Sequence, residues 1–596
     1  MHWYTYIFPL ICLIFIVLFY LSLPDLRYTC TSLPRHDYPL LRNLDLIVVS
    51  IITIIYGFTA FYSLGNTSSP ETFYNFDHPG SSITIELNEE TALSRISYYA
   101  GVNTGNYYLQ FSKDGIDYYD VVTLTQDYSD IFKWLDADLS TYDKSDIKYI
   151  RISSDSNLYL GELALYNSSE TLIDSSQIVD SDASSLLFDE QDTVPYKSNF
   201  MNSSIFDEVY HVRTAYEHMN NMQPYEISHP PLGKIIISIG IWLFGLTPFG
   251  WRFMGTLFGV LMLPVLYLFL KKMFSYTSVA ACGTIVFAFD FMHFVQTRLA
   301  TVDTYAVFFI LLMYFFMYLY ISDGSWKHLA WSGIFFGIGT ACKWTCVYAG
   351  VGLAVIWAIH WIRNIKTVGV NKLLLNCVFC VTFFILIPCC IYYLSYIPYG
   401  KANGMSGFKM LFSKEYFNIV VTNQKYMFTY HSGVHATHPY QSRWYQWIFD
   451  IRPILYYLSY SNNNTEVASI AAWVNPMLCW GGLLSLFALI YLALFRKDRR
   501  AGFILIGYFA QLIPWIIITR TTFEYHYFAS TIFLTLSISY IFCMIREGNP
   551  RWKTIIFTFT AVSFGLFILF YPVLSGIKIS TKFSNVVLGW LPTWPF

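Results

Sequence analysis

Phe206-Asp207-Glu208-Val209-Tyr210-His211, then Ser228-His229-Pro230-Pro231-Leu232-Gly233-Lys234, then Gly250-Trp251-Arg252, lead into an apolar run, Phe253 to Leu270, that ends in Lys271-Lys272. A carboxylate pair, several histidines, a Lys and an Arg stand here against a membrane span. Ionisable side chains this dense at a bilayer are costly unless they serve a site. A solvated linker would carry similar charge, so the reading rests on what the rest of the chain places beside this stretch.

The 596-residue chain is 55% hydrophobic and 19% aromatic but only 13% charged. Soluble domains carry roughly 25% charged residues, so this is the composition of a polytopic membrane protein. A net charge of -2 argues against a nucleic-acid partner. The cysteines sit mostly in apolar runs, as at Cys377, Cys380, Cys389 and Cys390, with none between Gly65 and Pro195. No disulfide framework or metal-ligand spacing is visible.

Apolar runs able to cross a bilayer, at about 20 residues each, fall near 4–23, 44–64, 250–270, 276–296, 303–321, 327–342, 346–362, 372–396, 474–495, 501–519, 526–545 and 553–575, about twelve in all. The first, within 1–24, lacks a basic leader and a small-residue cleavage site and reads as a retained extra span. Short basic loops recur at every second connection: Lys271-Lys272, Lys327-His328, Arg363 to Lys366, Arg496 to Arg500 and Arg546 to Lys553. The positive-inside bias assigns that side to the cytoplasm of a plasma-membrane protein. Both termini, 65–249, the 297–302 turn, the 397–473 loop and the 520–525 turn then face outside.

Gly65 to about residue 200 differs in kind. Ile83 to Leu87, Tyr107 to Phe111, Lys148 to Ile152 and Leu158 to Tyr166 alternate as strands, and Ser112-Lys113-Asp114-Gly115 reads as a turn. Short strands with frequent turns predict an all-β sandwich. Phe111 to Gly115, Tyr149 to Ile152 and Leu160 to Tyr166 resemble a discoidin-like (galactose-binding-like) module, which implies possible glycan binding. The segment 201–249 is then an extracytoplasmic catalytic loop with interfacial helices, Ile235 to Leu246 being too short to span. Spans fill 250–396 and 474–596.

Further clusters share the outer side: Gln296-Thr297-Arg298 with Asp303; Cys342-Lys343-Trp344; His435, His438, Arg443 and Arg452; and Arg520, Glu524 and His526. Cations facing a carboxylate pair at a membrane edge suit a lipid-phosphate sugar donor. The cations neutralise the phosphate as the sugar leaves, and a carboxylate takes the proton of the attacking hydroxyl. Taken singly, Arg252 reads as a snorkelling side chain, and Arg298 with Asp303 as a plain ion pair. His435 and His438 lack a second pair that would make a metal site.

These residues resemble the protein O-mannosyltransferases, glycosyltransferase family 39 of the GT-C superfamily. The matching pieces are Phe206 to His211, His229 to Lys234, Trp251-Arg252-Phe253, Arg298-Leu299-Ala300-Thr301-Val302-Asp303, Lys343-Trp344, His438 to Trp444, Arg452-Pro453-Ile454, Asn475-Pro476 and Thr522 to Tyr527. They occur in the family's order over roughly 200–545. The resemblance implies a polytopic α-helical membrane protein of GT-C fold with an inserted extracytoplasmic sandwich. It implies transfer of mannose from a polyprenyl phosphate to Ser or Thr hydroxyls of exported proteins, with inversion and without a cofactor or metal. Asp207 would be the base with Glu208 beside it; neighbouring side chains diverge, so one carboxylate serves the acceptor and the other holds structure, with Arg252 as a candidate partner. Arg252, Arg298, Lys343 and Arg443 would sit at the donor phosphate, and His211, His229, Lys234, Asp303, His438, Arg452, Glu524 and His526 elsewhere in the site.

Three departures stand out. The 397–473 loop is too short for the β-trefoil of eukaryotic members, as in bacterial ones; the sandwich is inserted; and the 4–23 span is extra. The sandwich lies outside the ordered motifs, which predicts that bond-making does not need it. Competing readings are a GT-C transferase acting on a lipid or cell-wall glycan, and a transporter or glycan sensor. Transporter sites favour the midplane, whereas these ionisable residues lie near outer span ends.

Overall fold

The computed structural model describes residues 41–137, 139, 146–179, 185–433, 437–548, 550–594 and 596. The expected span at 4–23 and His435 lie outside them. The chain divides into two compact units: Ser63–Glu226 with Ile236–Met254, and the residues up to Tyr62 with Ile227–Ile235 and Gly255–Phe596.

The first unit holds the sandwich. Eight strands, β1 (Tyr74–Phe76), β2 (Ser82–Thr91), β3 (Leu93–Ala100), β4 (Gly105–Ser112), β5 (Tyr119–Gln126), β6 (Lys133–Ala137), β7 (Ile147–Ser154) and β8 (Leu158–Asn167), form two sheets of order β1-β8-β3-β6 and β2-β7-β4-β5. All pairings are antiparallel. Period-two alternation turns Ile85, Tyr107, Leu109, Phe111, Ile150, Ile152, Leu163 and Leu165 into one shared core. The expected turn after β4 is present. Gly115 takes φ +77, open to glycine at no steric cost, and its N–H donates to Ser112 Oγ.

Glu162 on β8 is a charge-bearing residue in this interior, with no exposed surface. It accepts from the Glu190 N–H at 3.2 Å and from the Gln191 side chain. Burial pushes its carboxyl up to about 8. The unfolded chain releases that proton near pH 4.3, so between the two values the folded state holds more protons. The contribution of Glu162 to stability should therefore be greatest below about pH 4.3, fall as pH rises, and level off above about 8. Glu162→Gln should flatten this dependence in thermal unfolding scans of the detergent-solubilised chain; an unchanged pH profile would clear Glu162 of it.

The second unit is helical. Nine helices among the described residues are long and apolar enough to cross a membrane, or ten if a bent pair counts as one span. Every expected span from 44–64 onward has a helix in place. Trp326–Cys342, with 17 residues, is the short one. Its Gly333 and Gly337 meet the Phe383 carbonyl and Pro388, where a Cβ would clash, the close approach that small residues four apart allow in membranes. The expected continuous span at 276–296 is broken: Thr277–Ala288 and Phe291–Thr297 meet at 58°. Asp290 ends the first helix and caps the second, accepting from His293 N at 3.0 Å and from Asn475 N at 2.7 Å, so it serves as an N-cap where a continuous helix was expected.

The 397–473 loop is more ordered than a connection. It contains the helix Lys414–Gly433 and a hairpin of β9 (Ile454–Tyr460) and β10 (Glu466–Ala472), joined by β11 (Ile579–Ser580) near the C-terminus. Tyr416, Val420, Asn423 and Met427, spaced one helical turn apart, form the buried face of that helix.

Candidate active site

In the first unit the Asp-Glu pair begins the helix Glu208–Met219. Phe206 before it has φ +49, a left-handed conformation costly for a bulky residue. Such strain persists only where the surroundings enforce it, and here it turns the chain sharply at Asp207. The two carboxylates diverge. Glu208 is fully buried, and Arg252 Nε and Nη2 grip its two oxygens at 2.7 Å each. Glu208 Oε2 also accepts from Ile205 N at 3.0 Å. Asp207 is half-buried and its side chain does not cap the helix it precedes.

Arg252 is not the donor-phosphate residue that its position suggested. It is 1% exposed. Beyond Glu208, its Nη1 donates to the carbonyls of Leu64 and Phe200 at 2.9 and 2.6 Å, and its Nη2 to that of Ser203 at 3.3 Å. All five N–H donors of a guanidinium are thereby used, so Arg252 is a clamp that sets Glu208 and the chain around it.

The helix Glu208–Met219 is seated on the sandwich. Tyr210 stacks on Tyr128, with centroids 6.0 Å apart. Arg213 reaches Asn103 Oδ1 at 3.1 Å and pairs with Glu217 at 2.7 Å. Ser204 N donates to the Phe132 carbonyl, Ser204 Oγ to that of Ile131, and Trp134 N to Ser203 Oγ. The sandwich therefore positions the Asp207 stretch rather than standing apart from it. Excision of about 67–195 should lower transfer to a short peptide by well over tenfold through loss of this seating; a folded, inserted deletion with near-intact peptide transfer would refute that. His211, also on this helix, lies buried 4.0 Å from Glu226.

In the second unit Lys343, Arg520 and His229 lie about His431 and His526. Lys343 Nζ pairs with Asp303 Oδ1 at 2.7 Å, so Asp303 partners Lys343 and not Arg298 as expected. Lys343 also lies 5.5 Å from the Tyr525 ring. Arg298 Nη2 donates to the Tyr62 carbonyl at 2.9 Å, and its guanidinium covers the Phe294 ring. Lys234 is fully buried and donates to the His229 carbonyl at 2.9 Å, closing the His-Pro-Pro turn. His229 packs edge-on to His431, 5.3 Å away.

His431 did not figure among the expected residues; a lone His on an amphipathic helix gives no sequence signal. Its Nε2 donates to the Ser228 carbonyl at 2.7 Å. Burial, then the charges of His229 and Arg520, with Lys343 adding to them, hold its imidazole down to about 4. It is therefore neutral, with a buried Nδ1 left as an acceptor that has no partner among the described residues.

The remaining expected residues gather about the 519–527 segment, where His526 lies close enough to Lys343, Arg520 and His229 to feel their charge. Arg443 is exposed and caps the end of the helix Arg499–Ile517, donating to the Thr519 carbonyl at 2.9 Å. Arg452 bonds the Pro439 carbonyl. His438 packs on Phe523 at 5.0 Å, and burial lowers its pKa. His526 stacks on Trp447, 14° from parallel. Glu524, expected at an outer turn, is fully buried together with Asp450. Burial holds the Asp450 carboxyl well above the usual carboxylate range.

Two family models match: the "dolichyl-phosphate-mannose-protein mannosyltransferase" over 228–392 and the "C-terminal four TMM region of protein-O-mannosyltransferase" over 416–594. Together they span more than half of the chain. The chain belongs to the protein O-mannosyltransferase family. Among curated relatives, the polyprenol-phosphate-mannose–protein mannosyltransferase of Mycolicibacterium smegmatis is 25% identical over 455 residues, 65% of this chain and 87% of its own. That of Corynebacterium glutamicum is 22% identical over 430 residues, 62% and 81% respectively. The S. cerevisiae protein O-mannosyltransferase Pmt1-Pmt2 complex, solved with its sugar donor, superposes with a TM-score of 0.58 at 13% identity over 66% of this chain and 89% of that one. That likeness establishes the family's GT-C fold. The family models begin at 228, so Asp207 and the sandwich precede them.

Proposed function

We propose that the chain moves mannose from a polyprenyl-phosphate carrier to Ser or Thr hydroxyls of exported proteins, with Asp207 as general base and inversion at the anomeric carbon. The observation that carries the assignment of roles is the Glu208–Arg252 clamp, which commits one of the two carboxylates to structure. Asp207 then accepts the hydroxyl proton while the hydroxyl oxygen bonds to the sugar carbon and the carrier phosphate leaves with the bonding electrons. A single displacement of this kind inverts the centre.

Lys343 and Arg298 suit the leaving phosphate, and the neutral His431 suits a sugar hydroxyl, to which its Nδ1 would accept a hydrogen bond. The charge bias of the loops supports an extracytoplasmic site. The exposed Trp242 and Leu243 of the helix Leu232–Phe244 fit a lipid interface.

Membranes carrying the chain, given labelled polyprenyl-phosphate mannose and a Ser/Thr-rich peptide, should label the peptide. Label that appears only in lipid or glycan would overturn the acceptor class, and label from another hexose donor alone would overturn the sugar. Arg298→Ala should weaken donor use by roughly ten- to a hundredfold, since a charge-assisted hydrogen bond is worth about 1.5–3 kcal/mol, and change acceptor dependence much less. An unchanged donor dependence would remove Arg298 from the phosphate site.

A further inference from the structure

A cavity of about 120 Å³ opens in the helical unit among the helices Asp303–Asp323, Thr345–Val368, Pro476–Phe495 and Arg499–Ile517. Arg363, Lys497 and Arg499 line it together with the apolar side chains of Ile321, Ile356, Ile359, Phe503 and Ile506. None of the three cations has an ion-pair or hydrogen-bond partner among the described residues. Asp498, also at the cavity, is turned inward instead: it is 3% exposed, caps Ala501 N at 2.8 Å and accepts from Tyr540 Oη at 2.8 Å. Lys497 stands in the left-handed region, φ +55. These helix ends belong to the side that the charge bias assigns to the cytoplasm, opposite the proposed transfer site.

Cationic loops alone satisfy the positive-inside bias and require no cavity. Here three cations line a recess with apolar walls, and since about 10–15 Å³ of such space already holds a water, it has room for a compact tetrahedral anion. We propose that this cavity binds the phosphate headgroup of an anionic inner-leaflet phospholipid, with the acyl chains lying along the apolar wall. Charge complementarity selects the occupant: Arg363 and Arg499 present forked N–H donors to phosphate oxygens, and basic pockets between spanning helices on the cytoplasmic side suit anionic headgroups.

Gly502 supplies a test that leaves every charge in place. It lines the cavity, and a Cβ built on it meets nothing within 4 Å, so Gly502→Leu starts its side chain in open space and adds bulk to the recess. Lipid retention by the detergent-purified full chain is read by native mass spectrometry, with phosphatidylglycerol, phosphatidylcholine and inorganic phosphate as separate arms. Phosphatidylglycerol should be retained in preference to phosphatidylcholine, and its affinity should drop by roughly tenfold or more both in Gly502→Leu and in the triple variant Arg363→Gln, Lys497→Gln, Arg499→Gln. Basal mannose transfer should be unchanged in Gly502→Leu. Equal retention of the two lipids, or full phosphatidylglycerol retention by Gly502→Leu, overturns the proposal in favour of diffuse surface charge. Inorganic phosphate competing as well as the lipid assigns the cavity to a free anion instead.

Discussion

Asp207→Asn should abolish mannose transfer, by about 10²- to 10⁴-fold, while leaving the fold and donor binding nearly intact. A Ser or Thr hydroxyl attacks poorly unless its proton is accepted as the new bond forms, and a positioned carboxylate supplies that much rate. Asparagine keeps the size of Asp207 but cannot take the proton. The residue is half-buried and asparagine is nearly its isostere, so the exchange should cost little stability. Turnover is measured with saturating donor and peptide, alongside donor affinity and thermal unfolding. Near-normal turnover in Asp207→Asn would take the base assignment away from this residue.

Glu208→Gln should fail in a different way, losing stability along with activity. The Glu208–Arg252 pair is buried and bidentate, and removing one partner of such a pair costs about 3–5 kcal/mol, because the other charge is left uncompensated. Domains are stable by only about 5–15 kcal/mol, so much of the chain should unfold or be degraded. Arg252→Met should do the same and also strip the donors from the carbonyls of Leu64, Phe200 and Ser203. Glu208→Leu combined with Arg252→Met should be less destabilised than either single change, because no lone buried charge remains. The readout is the midpoint of thermal unfolding in detergent. A Glu208→Gln chain that is as stable as the parent yet dead, with donor affinity unchanged, would reverse the roles of the two carboxylates.

The spans were legible because lipid forces long apolar runs, and the strands of the sandwich because one buried face forces alternation. The break at Asp290 was less so. A single Asp in an apolar run reads as tolerated, and only the donors that converge on it, His293 N and Asn475 N, show that it ends one helix and starts another. The order inside 397–473 was hidden for a similar reason. The helix Lys414–Gly433 buries a narrow stripe and leaves Phe417 and Phe428 exposed, so its composition resembles that of a loop.

For the site, the sequence by itself determined the ingredients: an adjacent carboxylate pair, His-Pro-Pro, Arg298 with Asp303, and Lys343-Trp344, in an order that marks the family. It also determined that Asp207 and Glu208 could not share one task, since neighbouring side chains diverge on a helix. Partner choice was settled by the tertiary structure, which bears out Arg252 for Glu208 and replaces Arg298 by Lys343 for Asp303. Arg252 lies far from Glu208 in sequence and pairs with it because the fold brings both into one buried pocket, where an unpaired charge would be prohibitive. Asp303 chose Lys343 over Arg298, which is nearer in sequence, and His431 became a neutral acceptor because the fold buries it, with His229, Arg520 and Lys343 from three separate segments around it. Local sequence sets which groups are available and what each can donate or accept. Which charges face one another, and which of them are kept from water, depends on contacts between residues remote in the chain.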